Sequence, residues 1–175
     1  MASVLLLYST TDGQTRKICE RMKAVLERQS HRVTLASVDE PLADDVTPFD
    51  RVFIGASIRY GKHARRVHEF VERNRARLDA RPNAFFSVNL VARKPEKNTP
   101  ETNPYVRKFV RLSPWRPRSL AVFAGRLDYR ILGFWDRQII RFIMWLTDGP
   151  TDAHGPAVEF TDWAQVDAFA ERIGR

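Results

Sequence analysis

Cysteine is almost missing from this 175-residue chain: Cys19 is the only one. A lone cysteine excludes an internal disulfide and a zinc site of the CxxC type, and it suits a reducing compartment. Glycine is sparse at 8 residues, and no G-x-G-x-x-G occurs, so the usual dinucleotide fingerprint is missing. A Walker A loop is missing too, because Tyr8 stands where it needs Gly and Gln14 where it needs Lys. The four histidines, His31, His63, His68 and His154, have no H-E-x-x-H spacing; they read as mostly solvated, and no metal site is expected. No Ser–His–Asp set or carboxylate pair is spaced for catalysis. No charged-then-apolar leader precedes Val4, so export is not expected.

What is there is an ordinary globular composition, with 43% hydrophobic and 29% charged residues. One domain spanning residues 1–175 is expected. Helical and strand patterns alternate along it, which argues for an α/β fold with a parallel sheet. Strands are expected at Val4 to Tyr8, Arg32 to Val38, Arg51 to Ser57, Asn83 to Leu90 and Ser119 to Ala124. Between and after them, helices are expected at Thr15 to Gln29, His63 to Leu78, from Asn103-Pro104 onward, and at Thr161 to Ile173. Apolar residues recur at helical spacing in each, as in Ile18, Met22, Val25 and Leu26. Five parallel strands of this kind match the flavodoxin-like three-layer sandwich with strand order 2-1-3-4-5. Ligands of that fold sit at the carboxyl ends of the strands.

The loop after the first strand, Ser9-Thr10-Thr11-Asp12-Gly13-Gln14-Thr15, is rich in hydroxyls and runs into a helix. Hydroxyls and backbone N–H groups at a helix N-terminus make a phosphate cradle. Without lysine or a metal ligand it suits the single phosphate of a group such as FMN; the other reading is an ordinary capped turn. Two further loops would meet it. Ser57-Ile58-Arg59-Tyr60 leads into Gly61, which permits a tight turn, with Tyr60 offering an aromatic face to a flat ring. Asn89-Leu90-Val91-Ala92-Arg93-Lys94 continues to Lys97, offering backbone groups to the ring's polar edge. Arg59, Lys62, Arg93, Lys94 and Lys97 would make the mouth positive.

Residues 125–156 exceed a minimal fold of this kind and form an expected insertion. Its helix, Ile131 to Thr147, has 11 large apolar residues among 17, including Phe134, Trp135, Phe142 and Trp145. Asp136, Arg137, Arg141 and Thr147 are expected on the opposite side. The helix is too short and too charged to cross a bilayer. It suits an interfacial helix or a lipophilic substrate wall; covering an exposed face, or a contact in a homo-oligomer, is the other reading. Charge is uneven as well. Residues 59–137 hold 19 Lys+Arg against 7 Asp+Glu, the remainder 10 against 14. This points to an anionic partner (carboxylate substrate, anionic lipid or nucleic acid) or to a solvated basic face.

Three blocks carry a more specific likeness: Y-S-T-T-D-G-Q-T-R at Tyr8 to Arg16, I-G-A-S-I-R-Y-G at Ile54 to Gly61, and S-V-N-L-V-A-R-K-P-E-K at Ser87 to Lys97. With W-R-P at Trp115 to Pro117 and Phe160-Thr161-Asp162-Trp163 in place of Y-T-D-W, the chain resembles the flavodoxin-like, quinone-dependent protoporphyrinogen IX oxidases over essentially its whole length. The resemblance implies FMN as cofactor and oxidation of protoporphyrinogen IX to protoporphyrin IX in haem biosynthesis. It also implies electron delivery to a membrane quinone, menaquinone or ubiquinone, by a peripheral enzyme on the cytoplasmic face of the inner membrane. Ser9 to Thr15 would hold the phosphate, while Ser57 to Tyr60 and Asn89 to Lys94 would frame the ring. Arg59, Arg93, Lys94 and Lys97 would meet substrate propionates; Phe134, Trp135, Phe142 and Trp145 would meet membrane or quinone. Flavin would carry the chemistry without an obligatory catalytic side chain. The rival functions are a flavodoxin electron carrier, an NAD(P)H-quinone reductase, and a non-enzymatic basic membrane- or nucleic-acid-binding domain. The last lacks a recognition motif, so no nucleic-acid partner is expected.

Overall fold

The computed structural model describes the backbone of residues 1–175 and every side chain except that of Asp44. Strand β1 (Ser3–Ser9) is buried on both faces from Val4 to Leu7. Such a continuous apolar run belongs in the middle of a parallel sheet. Helix α1 (Gln14–Arg28) follows, then β2 (Arg32–Ser37), β3 (Arg51–Arg59), β4 (Lys62–His63), α2 (Arg65–Asp79) and β5 (Asn83–Asn89). The rest comprises α3 (Pro104–Leu112), β6 (Ser119–Ala124), β7 (Arg126–Leu127), α4 (Phe134–Leu146), β8 (Val158–Glu159) and α5 (Trp163–Gly174).

The main sheet runs β2-β1-β3-β5-β6 with parallel pairing throughout. Counted as five parallel strands, this is the expected order 2-1-3-4-5. Alternation along β1 divides the core into two layers. Val4 and Leu6 face Ile18, Met22 and Leu26 of α1 and Phe169 and Ile173 of α5. Leu5 and Leu7 face Val67, Phe70 and Val71 of α2, with Phe109 of α3 in the same cluster. Each large side chain so buried contributes about 1.5–3 kcal/mol. Cys19 is fully buried in the first layer, and burial pushes its thiol pKa far up, so it packs as a small hydrophobe.

The inner stripe of α2 (Val67, Phe70, Val71, Asn74, Leu78) matches its heptad-like spacing. Asn103 caps α3 as its spacing with Pro104 suggests, accepting from the N–H groups of Tyr105 and Val106. At Gly55 in β3 the sheet needs the missing side chain, because a Cβ there would overlap the Phe86 ring.

Several expectations are corrected. Strand β3 runs two residues past Ser57 and turns back through Tyr60-Gly61 into the antiparallel strand β4, pairing Arg59 with Lys62 and Ile58 with His63. Tyr60 and Gly61 have φ of 49° and 71°. Positive φ at both positions of a two-residue hairpin loop suits the right-handed strand twist. The histidines are not mostly solvated either. His63 is buried against Phe85 and Phe109, with Nε2 2.9 Å from Ser87 Oγ, and only His154 is exposed. The insertion begins and ends on the antiparallel pair β7–β8. Its helix is shorter than expected, with a separate 3-10 turn at Tyr129–Ile131 before it.

Candidate functional site

The loop between β1 and α1 is ordered from within. Thr10 Oγ1 accepts from the Gly13 N–H at 3.0 Å, and Asp12 Oδ1 from the Gln14 N–H at 3.3 Å. Gly13 takes φ 90°, a conformation that favours glycine. Gln14 is buried and donates through Nε2 to Thr161 Oγ1 at 2.9 Å; Thr161 in turn donates to the Ala124 carbonyl at 2.7 Å. This ties the loop to the end of β6 and the start of α5, a link through Thr161 that the sequence pattern did not suggest. Beneath the loop, Thr15 Oγ1 is buried and has no hydrogen-bond partner in the protein. An unpartnered buried hydroxyl costs about 1–3 kcal/mol, and it stands in the first turn, whose N–H groups lack intrahelical partners. Both observations fit an anionic group such as a phosphate.

The three loops meet. Thr11, Asp12 and Gln14 line one cavity of about 100 Å³ together with Ser57, Ile58 and Arg59 of β3 and Asn89 and Leu90 of the third loop. Gly125 and the carboxylate-bearing Asp128 complete it from the insertion's base. Hydrogen bonds from Arg130 hold the Asp128 carboxyl down to about 2, and Arg126 donates to it as well at 3.0 Å. A larger cavity of about 460 Å³ opens beside it. Arg59, Tyr60, Val91, Arg93, Lys94 and Lys97 supply one side, and Ile139, Ile140, Ile143 and Met144 of α4 the other.

Asn89, at the end of β5, is the hub of a buried polar network. Its Nδ2 donates to Ser87 Oγ at 3.1 Å, while its Oδ1 accepts from the Ala92 N–H at 3.0 Å and from Asn103 Nδ2 at 3.1 Å. Ala92 is therefore a support for the loop: it is buried, its N–H is engaged, and it lines neither cavity. The Lys94 N–H is engaged by the Val91 carbonyl at 3.1 Å. Arg93 turns inward, donating to the Leu90 and Thr147 carbonyls and to Thr147 Oγ1 at 2.7–3.1 Å. Arg59 forms an ion pair with Asp136 of α4 and lies over the Tyr60 ring at 5.0 Å; the contact with Tyr60 is the main influence raising its pKa. Of the four expected propionate ligands, Lys94 and Lys97 alone have no ion pair or hydrogen bond from their ammonium groups among the described residues.

Helix α4 is mounted the other way round from an ordinary surface helix. Asp136 faces Arg59 and Tyr60; Arg137 donates to the Tyr129 and Leu132 carbonyls at 3.0 and 3.3 Å. Thr147, just past its end, receives Arg93. Phe134, Trp135, Phe142, Trp145 and Leu146 are exposed, and Met144 is the helix's one buried residue. Thus Asp136, Arg137 and Thr147 lie inward rather than on a solvated flank, while Arg141 is exposed as expected. No described helix is long and apolar enough to cross a membrane.

Residues 5–154 match the family model described as a flavodoxin domain. The chain is 46% identical over 169 residues to protoporphyrinogen IX dehydrogenase [quinone] of Escherichia coli K12, covering 97% of this chain and 93% of that one. It is 42% identical over 167 residues to a protein of the same name from Leishmania major, covering 95% of this chain and 72% of that one. The chain belongs to this flavodoxin-domain dehydrogenase family. Among solved structures it is similar to flavodoxin 1 of Bacillus cereus, with a TM-score of 0.55 and 11% identity over 98% of this chain and 96% of that one. An archaeal flavodoxin gives 0.52 and 14% over the same shares. At these identities the likeness is one of fold, and it bears out the flavodoxin-like sandwich expected from the strand pattern. In this chain the blocks at Tyr8 to Arg16, Ile54 to Gly61 and Ser87 to Lys97 each contribute to the lining of these cavities.

Proposed function

We infer that this chain is a flavin-dependent oxidoreductase that converts protoporphyrinogen IX to protoporphyrin IX, with a quinone taking the electrons. What carries the reading is 46% identity, across 97% of the chain, to an enzyme of that name. The family's flavodoxin domain calls for a flavin, and the Ser9 to Thr15 loop supports FMN in particular: the loop offers hydroxyls, first-turn N–H groups and the unpartnered Thr15 Oγ1 to one phosphate. When bound, the flavin supplies the two-electron redox chemistry that side chains lack. This chain's residues do the holding. Thr10, Asp12 and Gln14 shape the phosphate loop, Asn89 fixes the third loop, and α4 gives the larger cavity an apolar wall.

Membrane quinone and the exposed apolar face of α4 belong together in this reading. The face suits the headgroup–acyl boundary of a bilayer, where a short helix lies in the plane and aromatic rings sit at the interface. The net charge of +8 favours an anionic leaflet. The proposal therefore includes peripheral attachment at the cytoplasmic side of the inner membrane. Anaerobic titration of the flavin-loaded protein with protoporphyrinogen tests the activity. Flavin absorbance should bleach, recover on adding quinone, and stay unbleached with NADH. A protein that binds no flavin, or whose flavin protoporphyrinogen leaves oxidised, overturns it.

A further inference from the structure

A second cavity, of about 430 Å³, lies on the far side of the β3–β4 hairpin. Ile58, Gly61 and Tyr105 line both it and the larger cavity described above, so the two share a wall. Phe109 and Leu112 of α3 give it an apolar lining; Leu112 is 60% exposed. Its charged lining is entirely basic: Lys62, Arg65 and Lys108. The neighbouring His68 is partly buried, and burial lowers its pKa, which favours the neutral ring.

Several arginines outside this cavity are neutralised by a neighbouring carboxylate: Arg16, Arg21, Arg66, Arg75, Arg126 and Arg130. In the second cavity Arg65 is likewise paired, with Glu69 at 2.6 Å. Lys62 and Lys108 have no ion pair among the described residues, and no Asp or Glu lines the cavity. Two unneutralised ammonium groups above apolar side chains are complementary to an amphiphilic carboxylate: a hydrocarbon arm on the floor and an acid group at the rim.

We propose that this cavity is a carboxylate subsite for the tetrapyrrole, in which Lys62 and Lys108 take a propionate arm while the macrocycle occupies the shared wall at Ile58, Gly61 and Tyr105. This rests on the oxidation reading above. It assigns to Lys62 and Lys108 the role that sequence reasoning gave to Arg59 and Arg93, both of which are held by internal partners. The charge pattern then makes the site selective for acid over ester. One propionate meets Lys62 and Lys108, and Lys94 and Lys97 across the wall remain for the other.

The test uses the flavin-loaded protein with the lysine pair replaced, Lys62→Gln with Lys108→Gln. Porphyrin fluorescence measures binding of protoporphyrin IX and of its dimethyl ester. Wild type should prefer the diacid, and the double variant should lose roughly five- to tenfold in diacid affinity, as two partly exposed charge contacts imply, with ester affinity unchanged. KM for protoporphyrinogen should rise by a similar factor at unchanged kcat, with flavin content and melting temperature as in wild type. Diacid affinity within twofold of wild type overturns the subsite. So does a diacid preference that only Lys94→Gln with Lys97→Gln removes. If wild-type flavin is not bleached by protoporphyrinogen, it is instead the oxidation reading that fails, and the comparison of acid with ester still reports on the subsite.

Discussion

Asp136 accepts a hydrogen bond from Tyr60 Oη at 2.8 Å, joining the inward side of α4 to the tip of the β3–β4 hairpin. Tyr60 pays for its place with a left-handed backbone, φ 49°, which costs a non-glycine residue roughly 1–2 kcal/mol. Arg59 binds the other oxygen of the same carboxylate. One side chain thus latches the insertion over the larger cavity.

Replacing that side chain should loosen the latch without unfolding the sheet. For Asp136→Ala, we expect a loss of about 1 kcal/mol or less, because the pair is partly exposed. Amide exchange in residues 134–146 should speed up while β1 and β5 stay protected, as measured by mass spectrometry. Exchange unchanged in α4 would show that the latch does not hold the helix.

The phosphate assignment has its own probe. Thr15→Val removes a buried hydroxyl that has no internal partner, so the apo-protein should melt at the wild-type temperature or slightly above it. FMN affinity should fall by roughly tenfold to a hundredfold, the worth of a hydrogen bond to a charged group. Quenching of flavin fluorescence reads it directly; equal affinities would place the phosphate elsewhere.

His63 predicts an acid-side loss of stability. Burial, reinforced by nearby His68 and Lys108, holds its pKa down at about 3 against an ordinary value near 6.5. The unfolded chain therefore binds this proton between those values while the folded one does not. Stability present above pH 6.5 is lost as pH falls through the window toward 3, by at most about 1.4 kcal/mol per pH unit for one proton. Urea midpoints between pH 5 and 6.5, above the range where carboxylates dominate, should drop in wild type. His63→Gln should give a flatter profile there.

The outward aromatics should matter to lipid and hardly at all to folding. Trp135→Ser with Trp145→Ser removes side chains that are 76% and 67% exposed. Co-sedimentation with anionic vesicles should fall at least roughly tenfold, given the apolar area withdrawn from the bilayer. The melting temperature should move by no more than a degree or two. Equal sedimentation of variant and wild type would remove α4 from the membrane contact.

Much of this was legible in the sequence because it follows from period and composition. The uninterrupted apolar run at Val4 to Leu7 marks a central parallel strand, and Val67, Phe70, Val71 and Leu78 mark a helix face. The ordered turn after β1 could be read because hydroxyls next to a glycine have a local purpose. Other features depend on contacts distant in sequence. Gln14 reaches Thr161, Asn103 both caps α3 and braces Asn89, and Asp136 turns toward Arg59. Pattern reading sends the polar side of an amphipathic helix to water; here hydrogen bonds made with Arg93 and Tyr60, and by Arg137, draw it toward the body of the protein instead. Gly61 marked the tight turn, but the return strand was hidden because tyrosine is not an ordinary resident of a positive-φ hairpin loop. His63 was hidden because a two-residue strand gives no periodicity to read.

The reversed mounting of α4 separates two demands that usually compete. Since its outward side chains support nothing inside the molecule, they are free to vary at little thermodynamic cost to the protein that carries them. Change on that face can thus proceed one aromatic at a time, with the three loops at the strand ends left alone.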